Sequence, residues 1–152
     1  MKEDKSQLSL EIQLQAVCMP HIPIKSYDVL ISFLPSLKLW NPKLGSNKMY
    51  KERVKKHLTF TAIELIKYLE IHPETCKALL NDSYDKRYTP STFIEEWQNK
   101  YRVGWVPNGQ NPINQIRVFS SFAEATADYV LFSWDFPRLT KEQANWYEME
   151  KY

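Results

Sequence analysis

From Thr92 to Phe119 apolar and polar residues alternate with a period of two, and from Phe122 onward the period becomes helical. The first predicted strand is Thr92–Trp97. Phe93 and Trp97 share a face with Glu95 between them, while Ile94 and Glu96 point the other way. The second is Lys100–Val106, with Tyr101, Val103 and Trp105 on one face and Arg102, Gly104 and Val106 on the other. Gln98-Asn99 between them has the length of a tight hairpin connection. A longer loop follows, Pro107 to Pro112, holding Asn108-Gly109 and kept out of any ladder by its two prolines. The third strand is Gln115–Phe119. Ile116 and Val118 lie on one face and Phe119 on the other, so part of the sheet should be covered on both sides. Ser121 then caps a helix, with Glu124 three residues on to complete a capping box. Phe122, Ala125, Tyr129 and Phe132 follow helical spacing, and Ala123, Ala127, Val130, Leu131 and Trp134 widen the apolar arc to that of a core helix. Pro137 ends it.

Elsewhere the pattern is less decisive. Leu8, Leu10, Ile12, Leu14 and Ala16 alternate with polar residues as in a strand, but Leu, Glu, Gln and Ala are helix formers, and both readings fit. Pro20 and Pro23 break this segment. Tyr27–Leu34 fits a short helix capped by Ser26 or a buried strand, and Leu37–Asn47 reads as an exposed loop carrying Trp40. Lys48–His57 is a basic helical segment. Thr61 and Glu64 form a second capping box, stapled by Phe60 and Leu65, and Ala62, Leu65, Ile66 and Leu69 make a buried stripe. Pro73 opens a short helix to Leu80, with Asn81 ending it and a polar linker to Pro90. Thr140 and Gln143 suggest a terminal helix, Lys141–Lys151, bearing Trp146, Tyr147 and Met149. The expected architecture is α+β: one domain over residues 1–152, with an antiparallel sheet of three or more strands packed against helices.

Composition narrows the chemistry. Three glycines leave no Gly-rich phosphate loop. A net charge of +2 weakens a nucleic-acid reading, which needs a marked basic excess or stripe. The charged start MKEDKSQ lacks a signal-peptide core, and no apolar run reaches membrane-spanning length, so a cytoplasmic protein with reduced Cys18 and Cys76 is expected.

Cys18 and His21, and His72 and Cys76, have spacings that suit zinc, though the halves lie far apart; a buried Cys76 and a surface His21 explain them as well. Nothing near either cysteine signals a lowered thiol pKa. Glu95 and Glu96 are adjacent on a strand and face opposite sides, so they are no paired acid–base site; Glu95 fits a binding carboxylate or a solvated position. The run Lys48, Lys51, Arg53, Lys55 and Lys56 fits an RNA contact or, more simply, a solvated helix face. Aromatics reach 14%, which is high, with five Trp, nine Tyr and seven Phe. Trp134 belongs to the core, and Trp40, Trp97, Trp105 and Trp146 are the candidates for exposure.

The run from Thr92 to Phe136, with its aromatic strand YRVGW and the segment RVFSSFAEATADYVLFSW, resembles the C-terminal half of small bacterial immunity proteins of polymorphic and contact-dependent toxin systems. In that outline an Arg-bearing strand runs into a Ser-capped helix with Glu-Ala and a downstream aromatic. The resemblance covers about a third of the chain. It implies a cytosolic, non-enzymatic protein without a cofactor that inactivates a cognate toxin by binding it. The candidate contacts are Trp40, Asn108 in the Pro107–Pro112 loop, and the sheet face with Glu95, Trp97 and Trp105. An exposed aromatic surface suits a homodimer equally. The rival readings are a nucleic-acid accessory protein using the helix at 48–57 and a small Cys/His metal-dependent enzyme.

Overall fold

The structure is a computed structural model that describes residues 8–19, 52, 54–85, 91–107 and 112–149. Where one domain is expected from length, contacts within the chain divide it into two compact units, Met1–Thr61 and Ala62–Tyr152. Trp40, Asn108, His21, the segments 27–34 and 37–47, and Lys48, Lys51 and Arg53 lie outside the described residues.

In the first unit helix propensity prevails over alternation. Residues Leu10–Val17 form helix α1, whose N-cap Ser9 accepts from the Ile12 amide at 3.2 Å. The buried set includes Leu14, Ala16, Val17 and also Gln13, which alternation assigns to the polar side. Gln13 is buried because its amide is a clamp. Its Oε1 accepts from the Thr59 and Phe60 amides at 2.7 and 3.1 Å, and its Nε2 donates to the Leu8 carbonyl and Thr59 Oγ1.

The second unit is α+β. Helix α2 spans Ala62–Ile71 and α3 spans Pro73–Asp85; strands β1 (Ser91–Trp97), β2 (Lys100–Val106) and β3 (Asn114–Phe119) precede helix α4 (Phe122–Ser133) and strand β4 (Tyr147–Glu148). The sheet is antiparallel in the order β1-β2-β3-β4. Helix α4 packs on one face of it and against α2 and α3, so it is buried nearly all round, with Ala125, Ala127, Tyr129 and Val130 fully enclosed. Val118 and Phe119 are adjacent, point to opposite faces and are both buried, so the sheet is covered on both sides at this point.

Local chemistry explains the joints. Gln98 and Asn99 both have positive φ, 50° and 63°, the geometry of a type I′ hairpin. Both are exposed and glutamine tolerates this region poorly. Replacing the pair by Asn-Gly is expected to raise stability by about 0.5–1 kcal/mol, read as a higher urea midpoint with an unchanged slope. Between β2 and β3 the register shifts: Val103 pairs Arg117, but Trp105 pairs Asn114. β3 therefore carries one extra residue, and Gln115 at φ 55° marks the bulge.

Two predicted helix limits are wrong. α3 runs through Asn81 to Asp85 where a linker is expected, because its polar residues have tertiary partners. Ser83 Oγ accepts from the Ile94 amide at 2.9 Å and the Tyr84 hydroxyl from the Glu96 amide at 2.8 Å, which blunts the free edge of β1. The terminal helix is a single turn. Gln143 Oε1 accepts from the Thr140 amide as the capping box requires, but Trp146 is then held by Arg117 and Lys141, and Tyr147–Glu148 joins the sheet as β4.

Candidate functional site

The predicted site residues do not converge as expected. Trp97 and Trp105 are assigned above to one sheet face; the register puts them on opposite faces, since Trp97 pairs Lys100 and Trp105 pairs Thr92. Trp105 faces α4, with its ring centroid 6.2 Å from that of Phe132. It belongs to the packing between sheet and helix. Trp97 lies on the other face, with Glu95 and Arg102.

There the three side chains form one cluster. Glu95 and Arg102 are direct cross-strand partners. Glu95 Oε2 accepts from Arg102 Nε at 2.7 Å and also from Nη2. The guanidinium carbon lies 5.3 Å from the Trp97 ring centroid. Arg102 is thus held by a carboxylate and an aromatic face, while both Nη1 hydrogens lack an acceptor among the described residues. Glu95, its side chain 31% exposed, is paired with Arg102 and helps to position it. Beside the cluster is an open cavity of about 270 Å³, lined by the side chains of Phe93, Val106 and Ile113 together with Ser83 and Tyr84. Tyr84 is 52% exposed, so its ring is available at the rim. A concavity with apolar walls and a fixed guanidinium suits an apolar or aromatic side chain with a nearby acceptor.

A second charged group is absent from the sequence reading. Asp128 on α4 is fully buried and accepts four hydrogen bonds. Its Oδ1 takes Arg117 Nη1 and the Leu139 amide, each at 3.2 Å; its Oδ2 takes Arg138 Nε at 3.0 Å and Nη2 at 2.5 Å. The two arginines also bridge backbone. Arg117 donates to the Leu139 carbonyl at 2.8 Å, and Arg138 to the Gln115 and Val103 carbonyls. The bulge at Gln115 presents the carbonyl that Arg138 takes. An Asp at the middle of an apolar helix, ten residues before an Arg, is the only signal that pointed to this group, and apolar periodicity passes over it.

The cysteines are inert in this fold. Both are buried free thiols, and Cys76 Sγ contacts the Leu69 carbonyl at 3.7 Å. Burial pushes the Cys76 thiol above its usual range. The native fold therefore favours the protonated thiol. That contribution is whole below the unfolded thiol's pKa and is lost as pH climbs through the raised native one. Neither cysteine is expected to react with a thiol reagent near neutral pH in the native protein, and both should react in denaturant. His72 is half-buried, its ring tilted against that of Tyr68 at a centroid distance of 4.3 Å, and bonded to Glu74 at 3.1 Å. Among the described residues no group of three or more His, Cys, Asp or Glu side chains is arranged to hold a metal ion. Of the basic segment, Val54 is buried, Lys55 is half-buried near Glu52, and Lys56 is exposed. Among the described residues no helix is long and apolar enough to cross a membrane.

No family model, characterised protein or solved structure matches the chain significantly.

Proposed function

We propose that this chain is a non-enzymatic binding protein that inactivates a cognate bacterial toxin by occupying it, with the Trp97 face of the sheet as its contact. The observation that carries the contact is Arg102, fixed by Glu95 and Trp97 at the side of an apolar cavity. A side chain already held in place loses little entropy on binding. Trp, Tyr and Arg are also the residues in which interface energy concentrates. The toxin assignment rests on the Thr92–Phe136 resemblance, which supports a partner of that kind. Nothing observed in the basic segment favours the nucleic-acid reading, since its described part buries Val54 and sets Glu52 beside Lys55.

The test is recovery of a stoichiometric partner from the source cells by tagged protein, followed by variants. Trp97→Ala and Tyr84→Ala are each expected to weaken binding about tenfold or more. Arg102→Lys keeps the charge but loses the fork, and should weaken it too. Trp105→Ala should lower stability and leave the affinity of the remaining folded protein unchanged. Equal affinity for wild type and the Trp97, Tyr84 and Arg102 variants would rule out this face. Recovery of nucleic acid alone, with steep salt dependence, would favour the basic segment instead.

A further inference from the structure

Arg138 ties the two strands of the bulge together. Its Nη1 donates to the Gln115 carbonyl of β3 at 2.7 Å, and its Nη2 to the Val103 carbonyl of β2 at 3.2 Å. The guanidinium is itself fixed by α4. Asp128 Oδ2 takes Nε and Nη2 at 3.0 and 2.5 Å, and the Phe132 ring centroid lies 4.2 Å from the guanidinium carbon. The bulge needs such a tie. Gln115 is a non-glycine residue at φ 55°, a conformation that costs free energy and persists only where its surroundings enforce it.

The bulge also decides which side chains reach the opposite face of the sheet. Successive strand residues alternate between faces. Val118 pairs Arg102, so Val118 and Ile116 share the Arg102 face. Regular alternation would carry Asn114 onto that face and turn Ile113 toward α4. The extra residue reverses this. Asn114 pairs Trp105, which faces α4, so Ile113 falls on the Arg102 face. There it lines the cavity with Phe93 and Val106.

We infer that Arg138 is a positioning residue for the partner site: from the α4 side of the sheet it holds the bulge that brings Ile113 to the cavity beside Arg102. This role rests on the Trp97 face being the contact. A lysine at 138 keeps a cation beside Asp128, but its ammonium lacks the planar fork that spans two carbonyls and a carboxylate. The bulge then competes with a regular ladder in which Gln115 leaves positive φ and Ile113 turns away.

Two measurements on the full chain test this. In the free protein, methyl NMR would follow the cross-peak between Ile113 and Val106, neighbours on the Arg102 face. It should fade in Arg138→Lys and persist in Leu69→Ala, which empties a buried position on α2 and lowers stability outside the bulge. Gln115→Gly accepts positive φ without strain, and should restore the cross-peak in the Arg138→Lys background. The second measurement is the affinity of the folded variants for the partner recovered with the tagged protein. Ile113→Ala and Arg138→Lys should each weaken binding about fivefold, and the double variant little more than either alone, because both withdraw the same side chain. An unchanged cross-peak in Arg138→Lys would overturn the inference. So would its equal loss in Leu69→Ala, a failure of Gln115→Gly to restore it, or multiplicative losses in the double variant. Wild-type affinity in Arg138→Lys with weakened Trp97→Ala would remove the role of Arg138 and leave the contact face standing. Wild-type affinity in Trp97→Ala as well would remove both.

Discussion

Asp128→Ala is expected to cost on the order of 3–5 kcal/mol, the largest effect of any single substitution considered. The reason is not the loss of attraction alone. Among the described residues the buried carboxylate is the ion-pair partner of both Arg117 and Arg138, with Glu148 adding a weaker attraction on Arg117, and its removal leaves the two guanidiniums close together with little water. The Leu139 amide loses its acceptor as well. The substitution also uncouples α4 from β3 and from the chain after Pro137, because Asp128 is where those three meet. Urea unfolding followed by tryptophan fluorescence would measure it. Arg138→Met made in the Asp128→Ala background should cost less than in the wild type, with a coupling of about 0.5–3 kcal/mol. Additive costs would mean that the three side chains do not act as one unit.

Gly104→Ala is expected to cost about 1–3 kcal/mol even though it adds one methyl group. A Cβ there would lie 2.9 Å from Phe93 Cε1 and 3.0 Å from both Ile116 Cγ1 and the Asn114 carbonyl oxygen. The side chains are buried and the carbonyl belongs to the bulged strand, so none of the three is a flexible tip. Phe93 also walls the cavity beside Arg102. Pushing it aside should therefore weaken partner binding as well as stability. Thermal unfolding and a binding titration on the same variant separate the two effects. A neutral result in both would show that the bulge at Gln115 yields at no cost.

The parts of this fold that follow from local periodicity were legible in the chain. β2 and the Gln98-Asn99 hairpin occupy the predicted residues, β1 and β3 begin one residue early, and Ser121 caps α4 as its spacing with Glu124 requires. The same periodicity gave two tryptophans without giving their common frame. Trp97 and Trp105 each stand out as aromatic strand positions, but only the hairpin register shows that they face opposite ways. The errors share a cause: polar residues with distant partners. Ser83 and Tyr84 extend α3 because they bond the edge of β1, eleven and twelve residues on. Gln13 is buried because residues 59 and 60 need its carbonyl. Asp128 and Arg138 look like ordinary surface charges until the fold brings Arg117 and Arg138 onto one buried carboxylate. Alternation at 8–16 pointed to a strand, and the Ser9 cap with good helix formers prevailed. Of the five candidate contact residues, Glu95 and Trp97 meet at the Arg102 cluster, Trp105 is packing, and Trp40 and Asn108 lie outside the described residues.

The central claim is that the Trp97 face neutralises a toxin, and growth rescue tests it most directly. The partner recovered with the tagged protein would be expressed alone and together with this chain, as wild type and as Trp97→Ala, with folding of the variant checked by its urea midpoint. The account predicts that the partner alone arrests growth, that wild type restores it, and that folded Trp97→Ala does not. A partner harmless on its own, or rescue by Trp97→Ala equal to wild type, would contradict it.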